Sequence, residues 1–192
     1  MAEALLEKKD YLSAGIHIGM KSKNKEMSRF IYKVREDGLA VLNLRLLDER
    51  IRTASQFLAK LNTILVVGRK ANAHEPIKKF AEIVGAKFVS GRFMPGTLTN
   101  PNYRDFIEPD VVVLSDPLSD QQALVEAVNS RIPIVGLCDT FNETRNIDYV
   151  VPCNNKGKKS LALVYWLLAR EILKLKGKDE FKYTLEDFGG VE

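Results

Sequence analysis

The sequence predicts an α/β fold of flavodoxin-like layering: a five-stranded parallel sheet in the order 2-1-3-4-5, helices on both faces, and an N-terminal β-hairpin ahead of it. Two observations carry the prediction. In residues 108–140, EPDVVVLSDPLSDQQALVEAVNSRIPIVGLCDT, short apolar runs at 111–114 and 134–138 flank a segment in which Ala123, Leu124, Ala127 and Val128 recur with helical period. Runs so short, without polar alternation, are strands buried on both faces, and two of them joined by one helix are parallel, which requires helices above and below the sheet. The same alternation of buried strand and helix continues on either side of this unit, which makes five strands in all.

Taken in order, residues 4–14 form a short helix with Leu5, Leu6, Tyr11 and Leu12 apolar and Gly15 as its stop. GIHIG at 15–19 leads into a basic run, in which Lys21, Lys23, Lys25, Arg29, Lys33 and Arg35 stand against the single Glu26. A solvated loop and a phosphate-contacting arm both account for such a run. Phe30, Ile31, Tyr32 and Val34, an Arg-Glu-Asp-Gly turn, and residues 39–44 read as a hairpin. An amphipathic helix over 48–61 leads into TILVVG at 63–68, the first parallel strand. Pro76 marks the first turn of the next helix, with Ile77, Phe80, Ala81 and Val84 on one stripe and Gly85 closing it. Residues 87–90 are the second strand. GRFMPGTLTNPNY at 91–103 is too rich in glycine, proline and asparagine for regular structure, and a loop of that length in a compact domain is commonly functional.

The 108–140 unit supplies strands three and four, with Ser119 and Gln122 at capping-box spacing. Residues 149–152 are the fifth strand, and NNKGKK at 154–159 is a basic turn. Ser160 is placed to cap a helix running to about residue 175, apolar nearly all round through LALVYWLLA. Tyr165 and Trp166 belong to that run and read as core rather than as a stacking platform. The expected organisation is one domain over 1–192: helix, arm and hairpin in 1–45, the α/β core in 46–176, a loose tail in 177–192.

Composition excludes several classes. A hydrophobic share of 45% with 28% charged residues matches globular rather than disordered chains. The longest apolar run, 161–169, is nine residues, short of the roughly 20 that a spanning helix needs. MAEALLEKKD lacks the pattern of a secretory signal, which points to the cytoplasm, and Cys138 and Cys153 suit that compartment, Cys138 as a small core hydrophobe rather than a redox or metal residue. The net charge is +4 and very uneven. Residues 105–150 hold nine carboxylates and two arginines, a local −7, so the rest of the chain carries +11. One pole is thereby expected to face a polyanion.

An enzyme of this architecture would work in the crevice at the carboxyl ends of strands one and three. GRKAN at 68–72 holds neither a dinucleotide fingerprint nor a P-loop, and no cofactor is expected. Asp116 and Asp139 follow strands three and four and, with His17, could hold a divalent ion or act as acid and base; strand-end aspartates usually cap turns and helix starts. His74, before Glu75 and Pro76, reads as a solvent-facing residue.

Five ordered stretches carry a family resemblance: YLSAGIHIG (11–19), FIYKVREDGLAVLNL (30–44), GRFMPGTLTNP (91–101), PDVVVLSDPLSDQQALVEAVNSRIP (109–133) and NNKGKKSLALVYWLLARE (154–171). Together they closely resemble the universal S-two family of small-subunit ribosomal proteins, relatives of the laminin-receptor-precursor-like protein. Bacterial members insert a long helical hairpin before the PD of strand three; here eight residues, 101–108, fill that interval, which favours the archaeal type. The lack of a long acidic C-terminal extension argues against the eukaryotic type.

The resemblance implies a non-catalytic, ribosome-bound structural constituent of the small subunit at its head and body junction, supporting assembly and translation. Its implied partners are small-subunit ribosomal RNA and neighbouring ribosomal proteins, with the messenger RNA exit region nearby. The expected phosphate contacts are Lys21, Lys23, Lys25 and Arg29 in the arm, Arg92 and Arg104 around the GTLTN loop, and Lys156, Lys158 and Lys159 in the last turn. A crevice enzyme using Asp116, Asp139 and His17 is the competing reading.

Overall fold

A computed structural model of the chain describes residues 4–177 and 181–190. Its elements run α1 (Lys8–Ser13), β1 (Ile31–Val34), β2 (Ala40–Leu42), α2 (Leu44–Leu58), β3 (Ile64–Gly68), α3 (Ala71–Val84), β4 (Lys87–Ser90), β5 (Val111–Leu114), α4 (Gln121–Asn129), β6 (Ile134–Cys138), β7 (Tyr149–Pro152) and α5 (Lys158–Leu175). β3 to β7 form one parallel sheet in the order β4-β3-β5-β6-β7, the predicted 2-1-3-4-5. β1 and β2 pair antiparallel as a separate hairpin.

The strands lack polar alternation because both faces of the sheet are covered. Val66, Val113, Leu137 and Val151 point into a core closed by α1, α2, α3 and α5. Leu65, Val67, Val112 and Leu114 point the other way, against Ala123 and Ala127 of α4 and Phe93 and Leu98 of the long loop. Met27, Phe30 and Leu42, from the hairpin and the turn before it, cover Cys138 and Val150. The hairpin therefore packs beside the sheet. β4 is an edge, with Lys87, Phe88 and Ser90 exposed, and a lysine there discourages pairing with another chain.

Helix starts depart from expectation. α2 begins at Leu44 rather than near 48, because the Asn43 side chain caps it, accepting the N–H groups of Arg45 (3.0 Å) and Leu46 (3.5 Å). α3 begins at Ala71, so Pro76 lies inside the helix rather than in its first turn. Ser119 does not cap α4: its hydroxyl donates to Asp116 (2.8 Å), and Asp120 holds the N-cap position. Ser160 lies within the first turn of α5, its hydroxyl donating to the Asn154 carbonyl (2.7 Å), while Gly157 is the N-cap. For Ser119 and Ser160 another partner, the Asp116 carboxylate or the Asn154 carbonyl, takes the hydroxyl that the local signal assigns to a cap.

Residues 181–190 also differ from a loose tail. Phe188 is fully buried in the core beside α3 and α5, and Phe181 packs edge-on against Trp166, whose indole N–H donates to the Tyr183 carbonyl (2.9 Å). Enough apolar surface is buried to order this segment. The rest of the expected tail, apart from Gly177, lies outside the described residues.

Candidate nucleic-acid interface at the carboxyl ends of the strands

β3 and α3 approach closely where β3 ends. A Cβ added at Gly68 would stand 2.4 Å from Ile77 Cδ1 and 2.8 Å from Ser115 Oγ, and that hydroxyl is held by the buried Tyr165 phenol (2.6 Å). Glycine is required there by close approach.

Several of the protein's own polar groups meet at the carboxyl ends of β3, β5 and β6. Asp116 pairs with Lys70 and accepts from Ser119 (2.8 Å), Asn142 (2.9 Å) and Asn155 (3.4 Å). Burial alone would raise its carboxyl, but Lys70 and these hydrogen bonds outweigh burial and hold it below the usual range. Asp120 accepts the N–H groups of Arg69 (2.8 Å) and Asp116 (3.1 Å); burial dominates there and pushes it up to about 6. Asp139 is tied to the Thr140 N–H (2.6 Å) and raised by burial. Asn142 bridges the two strand-end aspartates, accepting the Asp139 N–H (2.8 Å) while donating to Asp116.

The structure thus brings Asp116 and Asp139 together through Asn142, with both Asp116 oxygens and Asp139 Oδ1 engaged. His17 makes none of these contacts; its carbonyl accepts the Leu42 N–H (2.8 Å) in the hairpin, and burial lowers its imidazole. Among the described residues no group of three or more histidines, cysteines, aspartates or glutamates is placed to hold a metal. His74 is half-buried, with its ring against the Arg69 carbonyl (3.3 Å).

Each of the segments that carry the expected cations is tethered to the fold. The arm is pinned where β6 ends: Thr140 accepts the Met20 N–H through its hydroxyl (2.9 Å), donates to the Ser22 carbonyl (3.2 Å), and takes the Asn24 N–H on its own carbonyl (2.8 Å). Glu26 then accepts from the N–H and hydroxyl of Thr144, both at 2.7 Å. The GTLTN loop is clasped by Glu126 of α4, which accepts the N–H groups of Gly96 (2.9 Å) and Leu98 (3.0 Å) and the Thr99 hydroxyl (3.3 Å). The last turn is folded by Asn154, which accepts the N–H groups of Lys156 (3.0 Å) and Gly157 (3.1 Å).

Of the expected phosphate contacts, Lys21, Lys23, Lys25, Arg29, Arg92, Arg104, Lys158 and Lys159 are exposed, and Lys156 is half-buried. Arg92 stands two residues beyond β4 and Lys156 four beyond β7, so with the tethered arm they share the carboxyl end of the sheet. Three are engaged: Arg29 lies over the Phe30 ring (4.8 Å), Lys156 over Phe141 (4.1 Å), and Lys158 pairs with Glu75 (2.9 Å). Sequence reasoning missed the tethering residues Glu26, Glu126, Thr140 and Asn154. Of these only Asn154, an asparagine just ahead of a glycine turn, carried a local signal.

Basic segments fixed around the carboxyl ends of a parallel sheet, with Asp116 committed to the protein's own groups, are the arrangement of a binding protein. The family model described as ribosomal protein S2 matches residues 11–105 and 103–174. Small ribosomal subunit protein uS2 of Haloquadratum walsbyi is 51% identical over 189 residues, which cover 97% of this chain and 67% of that relative. The chain belongs to the ribosomal protein S2 family and is of its archaeal type. Its role is structural, in the small ribosomal subunit in the cytoplasm, and it is not an enzyme. Membership implies ribosomal RNA and other ribosomal proteins as its partners. No helix among the described residues is long and apolar enough to cross a membrane.

Proposed function

We propose that the chain holds small-subunit ribosomal RNA through the basic rim at the carboxyl ends of its strands, at the junction of head and body and near the messenger RNA exit. Lys21, Lys23, Lys25 and Arg29, Arg92 and Arg104, and Lys156, Lys158 and Lys159 supply the phosphate contacts. The observation that carries this reading is the tethering: Thr140, Glu26, Glu126 and Asn154 hold three basic segments in defined places, so little ordering entropy remains to be lost on binding. Folded RNA is read largely by backbone and shape, which suits cations presented on fixed loops.

Replacing Lys21, Lys23 and Lys25 together with alanine tests it. Three lost phosphate contacts reduce the slope of log K against log salt by about 2 to 3. Binding to small-subunit particles over a salt series is the measurement, and an unchanged slope removes the arm from the interface.

A further inference from the structure

The formal charge of residues 105–150 misrepresents the surface they build. Four of the nine carboxylates, those of Asp116, Asp120, Glu126 and Asp139, belong to residues no more than 4% exposed. Asp110 accepts the N–H groups of Asn62 (3.0 Å) and Thr63 (2.8 Å), and Asp148 that of Ile134 (2.8 Å). What α4 and the turn before it turn outward includes three aliphatic side chains among the glutamines Gln121 and Gln122 and Asn129. Leu118, Val125 and Val128 are 65%, 47% and 39% exposed. Leu118 and Val125 form a ridge between two hollows, of about 650 Å³ and about 380 Å³, and line both.

Arginines frame the ridge. Arg69 lines the larger hollow, Arg145 the smaller, and Arg131 stands beside Val128 in a third. All three are exposed, and none of their side chains has a hydrogen bond or ion pair among the described residues. Glu143 adds one exposed carboxylate to the smaller hollow and Asp148 one to the third, so the arginines outnumber the carboxylates three to two.

We propose that the outer face of α4 docks a protein segment that carries apolar side chains flanked by carboxylates, its apolar groups seated on Leu118, Val125 and Val128 and its carboxylates on Arg69, Arg131 and Arg145. An exposed apolar stripe of this kind marks a protein contact. RNA phosphates would meet the arginines but leave the three aliphatic side chains in water. A basic segment would bring like charge against three guanidinium groups. The proposal rests on the chain working inside the small subunit, and Arg92, across the larger hollow, stays with the RNA-facing rim.

Photo-crosslinking in purified small subunits tests it, with p-benzoylphenylalanine in place of Val125 and, in a second protein, in place of Val128. Presence of the chain in the subunit fraction is read first, by immunoblot, and decides the ribosomal reading independently. The expected product is a cross-link to another polypeptide whose joined segment has net negative charge and apolar residues. Its yield is expected to fall at least tenfold when Arg69→Glu, Arg131→Glu and Arg145→Glu are combined. A cross-link to RNA, a joined segment of net positive charge, no cross-link from chains present in subunits, or a yield indifferent to the charge reversals overturns the proposal.

Discussion

Glu126→Gln attacks the joint between α4 and the GTLTN loop. The Glu126 carboxylate accepts from Gly96 N–H and the Gln122 amide on one oxygen, and from Leu98 N–H and the Thr99 hydroxyl on the other. A glutamine can keep its oxygen on one side only. On the other side its NH2 meets a backbone donor, which is left unsatisfied in a buried site at ~1–3 kcal/mol, while the surviving bonds fall from charged to neutral strength, so the total loss is about 3 kcal/mol. Urea denaturation measures it as a lower midpoint at unchanged slope. Amide exchange at Leu98 and Gly96 should accelerate selectively, because the loop loses its clasp before the sheet loses its packing.

The same carboxylate supplies a pH signature. Burial alone would raise it, but the hydrogen bonds from Gln122, Leu98, Gly96 and Thr99 hold it below its ordinary 4.5. A depressed carboxyl stabilises the fold above its unfolded value and loses that contribution as pH falls through the folded value. The gap between wild type and Glu126→Gln is therefore expected to be full near neutrality and to narrow below about pH 4.5. A loss under about 1 kcal/mol at pH 7, or a gap that persists undiminished in acid, would refute the account of the joint.

Two further outcomes are expected. Asp120 is raised to about 6, so the folded state binds its proton more tightly and this group costs stability as pH rises from about 4 to about 6. Asp120→Asn should remove that slope from a series of urea midpoints, and a profile parallel to wild type would show that the carboxyl titrates normally. Phe188→Ala should cost about 3–5 kcal/mol, as a buried aromatic deletion does, and shift the fluorescence of Trp166. An unchanged melting temperature would mean that residues 181–190 contribute nothing to the fold.

The sheet was legible because its signal is local. Residues 111–114, 134–138 and 149–152 are apolar and largely β-branched, too short to be helices, and their burial on both faces follows from composition alone; the right-handed crossover rule then narrows the orders open to them. The basic segments were legible for the same reason, since a run of lysines is visible wherever it folds. Helix starts were less so, because Asn43 and Ser160 can each cap or not cap according to what else lies within reach.

The placement of charge was decided only in three dimensions. Sequence counts nine carboxylates in 105–150 but does not say which way they face, and four of them turn inward, two of which, Asp120 and Glu126, organise backbone from elsewhere. Glu126 reaches a loop 28 to 30 positions away, and Thr140 holds Met20 across 120. Such pairings carry no periodicity, because a hydrogen bond is fixed by the distance between two atoms and not by their separation along the chain. The sequence by itself determined a layered α/β scaffold with basic segments and its family; the tertiary structure decided that Thr140 and Glu126 of the acidic stretch hold the arm and the GTLTN loop, and that Leu118, Val125 and Val128 stand exposed between arginines.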